Sequence, residues 1–245
     1  MVREFRIIAE GDFACFTRPE LKVERVSYDV PTPGALEGML KSIYWKPAIR
    51  YAIDKIVVFN PIKFVNIRRN EVKNKVDYQK MKKQSMGDTR SDPCIYTSEV
   101  RSQRNSLVLK NVRYGVEFHI EQTGKRNERE LSECDPQKKH EGELERRINK
   151  GQYFRTPCFG CAEFSVKNIV LVESFPLREV SDENTGVRDL GFMLDRMEFA
   201  DHGDPVNNDW ENPKFRDKAT AHFYRPVMHD GVIDVTSCRE ESLCS

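Results

Sequence analysis

Two short groups of side chains in this chain of 245 residues could do chemistry. Lys139 and His140 are adjacent; an imidazole titrates near neutrality and can move protons, while a neighbouring ammonium group can neutralise an anion. Cys158 and Cys161 have the spacing of metal ligands. Each group has a simpler explanation. A Lys-His pair on a solvated helix is more often part of the ordinary surface, and the two cysteines can be buried or loop thiols.

The cysteines as a whole do not indicate a disulfide framework. The chain has 7 of them, an odd number, at positions 15, 94, 134, 158, 161, 238 and 244. A zinc site needs a second pair of ligands, and no second CxxC or HxxxH motif is present. We therefore expect buried or loop thiols, no metal and no cofactor.

The net charge of +1 hides a segregation of charge. Residues 1–175 carry 32 Lys and Arg against 24 Asp and Glu, whereas residues 176–245 carry 8 against 15. Residues 41–83 alone hold 12 basic and 3 acidic side chains. This distribution predicts that a polyanion would bind to the basic residues 1–175 and not to the acidic residues 176–245.

The N-terminal sequence and the apolar runs bear on location. No run approaches the roughly 18 to 20 apolar residues that a membrane span needs. The start, MVREFRIIAEG, lacks the apolar core of a signal peptide. We expect a soluble cytoplasmic protein that does not bind a membrane.

A first helix is predicted after the turn at residues 31–33. Thr32 suits the N-cap and Pro33 the first helical position. Apolar residues then recur at the spacing of one helix face: Leu36, Met39, Leu40 and Ile43. Pro47 bars continuation, so Tyr44 is expected at the C-terminal end of this helix.

Strands and a second helix complete the predicted pattern. Strands are expected at residues 2–9, 51–59, 62–68, 112–120 and 164–173, the second and third being consecutive or one bent strand. The second helix is expected from Asp135-Pro136 to Gly151. This order matches the α+β ferredoxin-like β-α-β-β-α-β unit, in which both helices cover one sheet face and leave the other free. The polar residues 70–105 are expected to form a long loop or a hairpin extension.

The last part of the chain differs in pattern. Residues 176–245 are acidic and contain only short strand candidates, at 221–227 and 232–236. We therefore predict two domains: a ferredoxin-like domain over residues 1–175 and a small antiparallel β-sheet domain over residues 176–245.

Several motifs together suggest a family. They are Gly11-Asp12-Phe13-Ala14, Phe16-Thr17-Arg18-Pro19, Ser27-Tyr28-Asp29-Val30-Pro31-Thr32, Ile43-Tyr44-Trp45-Lys46-Pro47, Asn66-Ile67-Arg68-Arg69-Asn70-Glu71-Val72, Lys139-His140 and Cys161-Ala162-Glu163-Phe164. A chain with these motifs resembles the CRISPR-associated Cas-five family, in particular its Dvulg, type I-C branch.

The resemblance implies an endoribonuclease. Such a protein cuts the CRISPR precursor transcript at the repeat hairpin without a metal, and it stays on the product as a subunit of the type I-C interference complex. The catalytic residues implied are Tyr44, Lys139 and His140. His140 is the best acid or base, Lys139 can neutralise the phosphate, and Tyr44, whose ordinary pKa is about 10, is expected to orient the 2′-hydroxyl.

RNA contacts are expected from basic side chains of the body: Lys22, Arg25, Lys46, Arg68, Arg69, Arg101 and Arg104. Arg68 and Arg69 are the strongest candidates, because they end a strand inside the most basic segment. His119 is the rival histidine, since its alternation within a strand suggests an exposed sheet face. Two alternatives stay open: an architectural subunit that binds CRISPR RNA without cutting it, and an unrelated RNA-binding protein.

Overall fold

A computed structural model of the chain describes residues 3–21, 23–88, 90, 94–124, 136–199, 207, 214 and 218–243. The strands are β1 (Glu4–Ala14), β2 (Arg25–Val26), β3 (Ile49–Val58), β4 (Phe64–Val72), β5 (Arg101–Gln122), β6 (Asn168–Leu171), β7 (Val187–Asp189), β8 (Met193–Phe199), β9 (Ala219–Tyr224), β10 (Val227–His229) and β11 (Val232–Asp234). The helices are α1 (Pro33–Ile43), α2 (Tyr78–Ser85), α3 (Thr97–Val100), α4 (Pro136–Asn149) and α5 (Val235–Leu243).

A mixed, mainly antiparallel sheet dominates the fold. Among the described residues, nine strands form one sheet in the order β6-β1-β5-β3-β11-β10-β7, with β2 and β4 also paired to β5. Strands β8 and β9 form a separate pair. The pairs of β1 with β5 and β6, and of β3 with β5, are all antiparallel.

Strand β5 is the longest element and serves two groups of partners. Its first part pairs with β4 and its last part with β3, while β1 pairs from Leu109 to His119. Between the two parts Asn111 has a φ of 51°, and its carbonyl accepts a hydrogen bond from Asn60 Nδ2 at 2.8 Å. The described residues between 70 and 105 therefore belong to a hairpin extension of β4 and β5 that carries α2 and α3, as predicted.

Helix α1 forms where the sequence places it. Thr32 Oγ1 accepts a hydrogen bond from the Ala35 amide at 3.2 Å, and Pro33 occupies the first turn. The predicted apolar face is buried against the sheet: Leu36, Met39, Leu40 and Ile43. Tyr44 leaves the helix in an extended conformation, while its amide still donates to the Leu40 carbonyl.

The main core lies between the sheet and the two longer helices. Phe5, Ile7, Val116 and Phe118 from the sheet meet α1 and Leu144 of α4 in one buried cluster. Helix α4 buries few apolar side chains, and its first described residue is Pro136; Asp135 lies outside the described residues.

The opposite sheet face is partly covered. Ile8, Val57 and Phe59 form a second buried cluster there, against which Phe175 and Val180 pack. The prediction of a free face is wrong at this place, because the chain after β6 folds back across the sheet. Gly115 permits this packing, since a Cβ at that position would lie 2.8 Å from the Phe175 ring.

The segment after residue 176 takes part in both sheets. Strand β11 pairs with β3, and β10 and β7 continue the same sheet, whereas β8 pairs with β9. The predicted boundary near residue 176 stays a prediction. No helix of the described part of the chain is long and apolar enough to cross a membrane.

Candidate active site

The fold brings Tyr44 and His140 into direct contact. Tyr44 follows the last turn of α1, and His140 lies on the sheet-facing side of α4. The Tyr44 hydroxyl and His140 Nδ1 are 2.7 Å apart, and the two ring centroids 5.9 Å. Both rings are buried, with Tyr44 4% and His140 1% exposed. Two residues 96 positions apart thus form a buried hydrogen-bonded pair.

Neighbouring side chains hold Tyr44 in this position. The Tyr51 hydroxyl donates to the Tyr44 carbonyl at 2.6 Å. Burial raises the pKa of Tyr51, so this hydroxyl remains protonated and remains a donor. Arg147 lies over the Tyr44 ring at 5.1 Å and donates to the Ile43 carbonyl at 3.0 Å, which ties the end of α1 to α4.

Sequence reasoning missed Arg147 and its partner Glu143. The Glu143 carboxylate accepts from Arg147 Nε at 2.8 Å and also pairs with Arg146. A signal for both was present, because His140, Glu143 and Arg147 recur at i, i+3 and i+7 on one helix face. The hydrogen bonds from the two arginines lower the pKa of Glu143 to about 2.

This lowered pKa predicts a pH effect on stability. The folded value lies below the ordinary value of about 4.3, so Glu143 stabilises the fold above that pH and loses its contribution as the pH falls toward 2. The free energy of unfolding is measured in urea titrations at pH 7, 4, 3 and 2.5. At pH 7 the value for Glu143→Gln should be lower than that of wild type by less than about 1 kcal/mol, because the ion pair is partly exposed. The gap should close toward pH 2.5.

The control for that series is Glu145→Gln on the same helix, whose partner is Arg3. It leaves the Glu143–Arg147 contact in place, so this variant should still lose the contribution of Glu143 to stability as the pH falls, as wild type does. A constant gap for Glu143→Gln would contradict the prediction.

Lys139 and Lys46 stand outside the buried pair. Both are exposed, Lys139 directly before His140 and Lys46 two residues after Tyr44. Lys139 also lies in the first turn of α4, where the helix dipole adds a field of the same sign. The arrangement therefore places positive charge, which can attract a phosphate, beside the buried Tyr44–His140 pair.

The remaining basic candidates fall into two groups. Arg25 and Arg69 both bind Glu163, at 3.1 and 2.7 Å, and Arg69 also binds Glu71 at 2.9 Å. Within the described part of the chain, no side-chain ion pair or hydrogen bond is formed by the others: Lys46, Arg68, Arg101 and Arg104. Lys22 lies outside the described residues. The second group is thus available to a ligand, whereas the first is engaged in an ion-pair cluster.

The structure does not bring these arginines to the Tyr44–His140 pair. Arg104 lies in the first part of β5, opposite Arg69 of β4, whereas Ile120, whose carbonyl accepts a hydrogen bond from Gln137 of α4, lies near the other end. At about 3.3 Å per residue, Arg104 and Ile120 are roughly 50 Å apart along the strand.

The other described histidines lie away from this pair. His119 Nδ1 is 2.8 Å from Asp54 Oδ2 and is part-exposed, and His222 pairs with Glu198 at 2.8 Å. Asp54 reaches His119 because β3 has an irregular register there. His202 lies outside the described residues.

The chain was compared with known families and proteins. A family model described as CRISPR-associated protein (Cas_Cas5) matches residues 6–236. A Mannheimia succiniciproducens protein named CRISPR pre-crRNA endoribonuclease Cas5d is 40% identical over 243 residues, which covers 96% of each chain. A Thermus thermophilus protein of the same name is 38% identical over 236 residues, covering 95% of this chain and 91% of the relative.

Solved structures share the fold. The crystal structure of a CRISPR-associated protein aligns with a TM-score of 0.61 at 24% identity, over 98% of this chain and 94% of that one. A functionally uncharacterized Streptococcus mutans protein, SMU1763c, aligns with a TM-score of 0.59 at 24% identity, over 97% and 95%.

Proposed function

We propose, because the chain belongs to the CRISPR-associated Cas5 family, that it is an endoribonuclease which cleaves precursor CRISPR RNA. The observation that carries the proposal to particular residues is the 2.7 Å contact of Tyr44 with His140, beside the exposed Lys139. The relatives named pre-crRNA endoribonuclease match nearly the whole chain.

The proposed reaction needs no metal and uses the 2′-hydroxyl of the RNA. The 2′-oxygen bonds to phosphorus, the bond from phosphorus to the 5′-oxygen breaks, and the products carry a 2′,3′-cyclic phosphate and a 5′-hydroxyl. Tyr44 orients the 2′-hydroxyl, His140 transfers a proton as acid or base, and Lys139 offsets charge on the phosphorane oxygens. Because Tyr44 and His140 are buried, RNA first meets Lys139 and must then uncover the pair.

The proposal includes a ferredoxin-like arrangement for the first part of the chain. The strand order β6-β1-β5-β3, with α1 after β1 and α4 after β5, supports it. In this arrangement the C-terminal end of α1 and the first turns of α4 meet, which is what the Tyr44–His140 contact requires.

We further propose that the protein keeps its product and acts as a subunit of a type I-C interference complex in the cytoplasm. The segregation of charge supports this role, since the acidic residues 176–245 would repel RNA and suit protein neighbours. The division into domains at residue 176 belongs to the same proposal.

The function is tested with a repeat hairpin RNA in the presence of EDTA. Purified protein should cut the RNA once, and a 2′-deoxy substitution at the cut nucleotide should abolish the product while binding persists. Tight binding without any product would instead indicate the architectural subunit. A requirement for a divalent metal would overturn the mechanism.

The unpaired arginines give a prediction for RNA binding. Arg68→Ala and Arg101→Ala should each reduce the slope of log affinity against log salt by about 0.7 to 0.9, because each removes one phosphate contact. Arg178→Ala, an exposed arginine of the acidic section, is the matched control and should leave the slope unchanged. Fluorescence anisotropy between 50 and 300 mM salt, about a sixfold range, measures the slopes. Equal slopes for all three variants would show that Arg68 and Arg101 do not contact phosphate.

A further inference from the structure

Cys161 lies at a cleft that the proposed reaction does not use. The cleft holds about 360 Å³ beside the end of β1 and the start of α1. Its lining includes Cys15, Thr17, Gly34, Lys41, Cys161 and Met197. Cys161 is part-exposed there, whereas Cys15 is buried. In the sequence Cys161 stands in a CxxC pair and in a family motif, neither of which assigns it a chemical role.

The surroundings of the Cys161 sulfur favour a thiolate. Arg25 Nη1 lies 3.4 Å and Thr17 Oγ1 3.7 Å from Sγ. Hydrogen bonding by the Cys15 thiol, helped by Thr17 and the charge of Arg25, lowers the pKa of Cys161 against the opposing effects of burial and of Glu163.

Cys158 provides a contrast within the same loop. It lies three residues earlier and forms a backbone bridge with Ser165. Burial raises the pKa of its thiol, and Arg155 only partly offsets that effect. Among the described residues no three His, Cys, Asp or Glu side chains converge as metal ligands. Cys161 is therefore the more reactive thiol of this loop.

We propose that Cys161 is a modification site that reacts with hydroperoxides, and that Cys15 is its resolving thiol. The thiolate attacks a peroxide oxygen, so a sulfur–oxygen bond forms while the oxygen–oxygen bond breaks. The sulfur is oxidised to a sulfenic acid, and the peroxide is reduced to water or an alcohol. Cys15 then attacks that sulfur, a disulfide forms, and the hydroxyl leaves with the Cys15 proton as water.

The positions of the two cysteines fit this sequence of steps. Both sulfurs contact Thr17 Oγ1, at 3.5 Å for Cys15 and 3.7 Å for Cys161. The backbones run together, with the Cys15 amide donating to the Phe159 carbonyl at 3.1 Å. The disulfide would remove the thiolate from Arg25, which shares Glu163 with Arg69 of β4. Oxidation would therefore change the ion pairs of Arg25, Glu163 and Arg69, which lie next to the hairpin extension.

The first test follows alkylation of the intact chain by iodoacetamide with peptide mass spectrometry. Between pH 6.5 and 8.0 the rate at Cys161 should change less than about threefold. In the urea-unfolded chain the alkylation rate of the same cysteine should rise about 20-fold over this pH range, as expected for an ordinary thiol with a pKa of about 8.5. Arg25→Gln should steepen the native profile. Arg18→Gln, which loses its contacts with Asp29 and the Tyr28 ring, should not. A native profile as steep as the unfolded one would overturn the proposal.

The second test uses one equivalent of hydrogen peroxide. Wild type should give a cross-linked peptide pair of Cys15 and Cys161, and Cys15→Ser should instead stop at a sulfenic acid that dimedone captures. Cys161→Ser should give neither product. Oxidation that is equal at Cys158 and Cys161, or that spares Cys161, would refute the assignment.

Discussion

His140→Ala is expected to lower the rate of precursor cleavage by about 10²- to 10⁴-fold, the usual contribution of a general acid or base. The RNA affinity should change by less than about threefold, because the ring is buried and the exposed cations remain. Single-turnover cleavage and anisotropy measure the two quantities separately.

Burial of the ring makes the controls of this experiment essential. His140→Ala removes the partner of the Tyr44 hydroxyl, which should cost about 1 to 3 kcal/mol of stability. Rates are therefore compared well below the melting temperature of each variant. His140→Gln keeps a polar side chain that cannot titrate at neutral pH, and it should be as inactive as His140→Ala. His119→Ala, on the other sheet face, should cleave like wild type. If His140→Ala loses binding and cleavage equally, His140 is a binding or folding residue.

Gly160→Ala is expected to lower the free energy of unfolding by about 4 kcal/mol, because among the described glycines its Cβ position makes the closest contact. Gly160 has a φ of +81°, where an L side chain costs about 1 to 2 kcal/mol. A Cβ there would also lie 2.0 Å from the Cys15 carbonyl oxygen, so the loop and β1 would have to separate. Urea unfolding of both proteins measures the difference.

Gly186→Ala is the matched control for that substitution. Gly186 has nearly the same φ, +84°, but nothing lies within 4 Å of the Cβ position. Its replacement should lower the free energy of unfolding only by the cost of placing an L side chain at this φ, about 1 to 2 kcal/mol. Equal losses in the two variants would mean that the approach of Gly160 to Cys15 does not matter.

Local sequence signals predicted α1 and α4 well and the strands in part, but they did not predict α2, α3 or α5. Thr32, Pro33 and the apolar spacing after them fix α1 through contacts within the helix itself. Alternation identified residues 112–120, but β5 begins at Arg101, because its first part lies in the hairpin extension, where polar side chains occupy both faces. Strand β6 is shorter than predicted, since only Asn168–Leu171 pairs with β1.

Contacts between distant segments could not be predicted from local patterns. The short strand predicted at residues 232–236 is present as β11, but its pairing with β3, more than 170 positions earlier, has no local signal. The contact of Tyr44 with His140 likewise depends on two helices meeting, and only the family resemblance grouped these residues. Glu143 and Arg147 were open to prediction from helical spacing, whereas the Tyr51 contact with the Tyr44 carbonyl depends on tertiary packing.

Strand β5 also sets the distance between two parts of the proposed RNA-binding surface. It carries Arg101 and Arg104 near one end and contacts the helix of His140 near the other, so the backbone of the strand determines the spacing between them. Under the proposed function, an RNA bound at both ends has to span this length of strand.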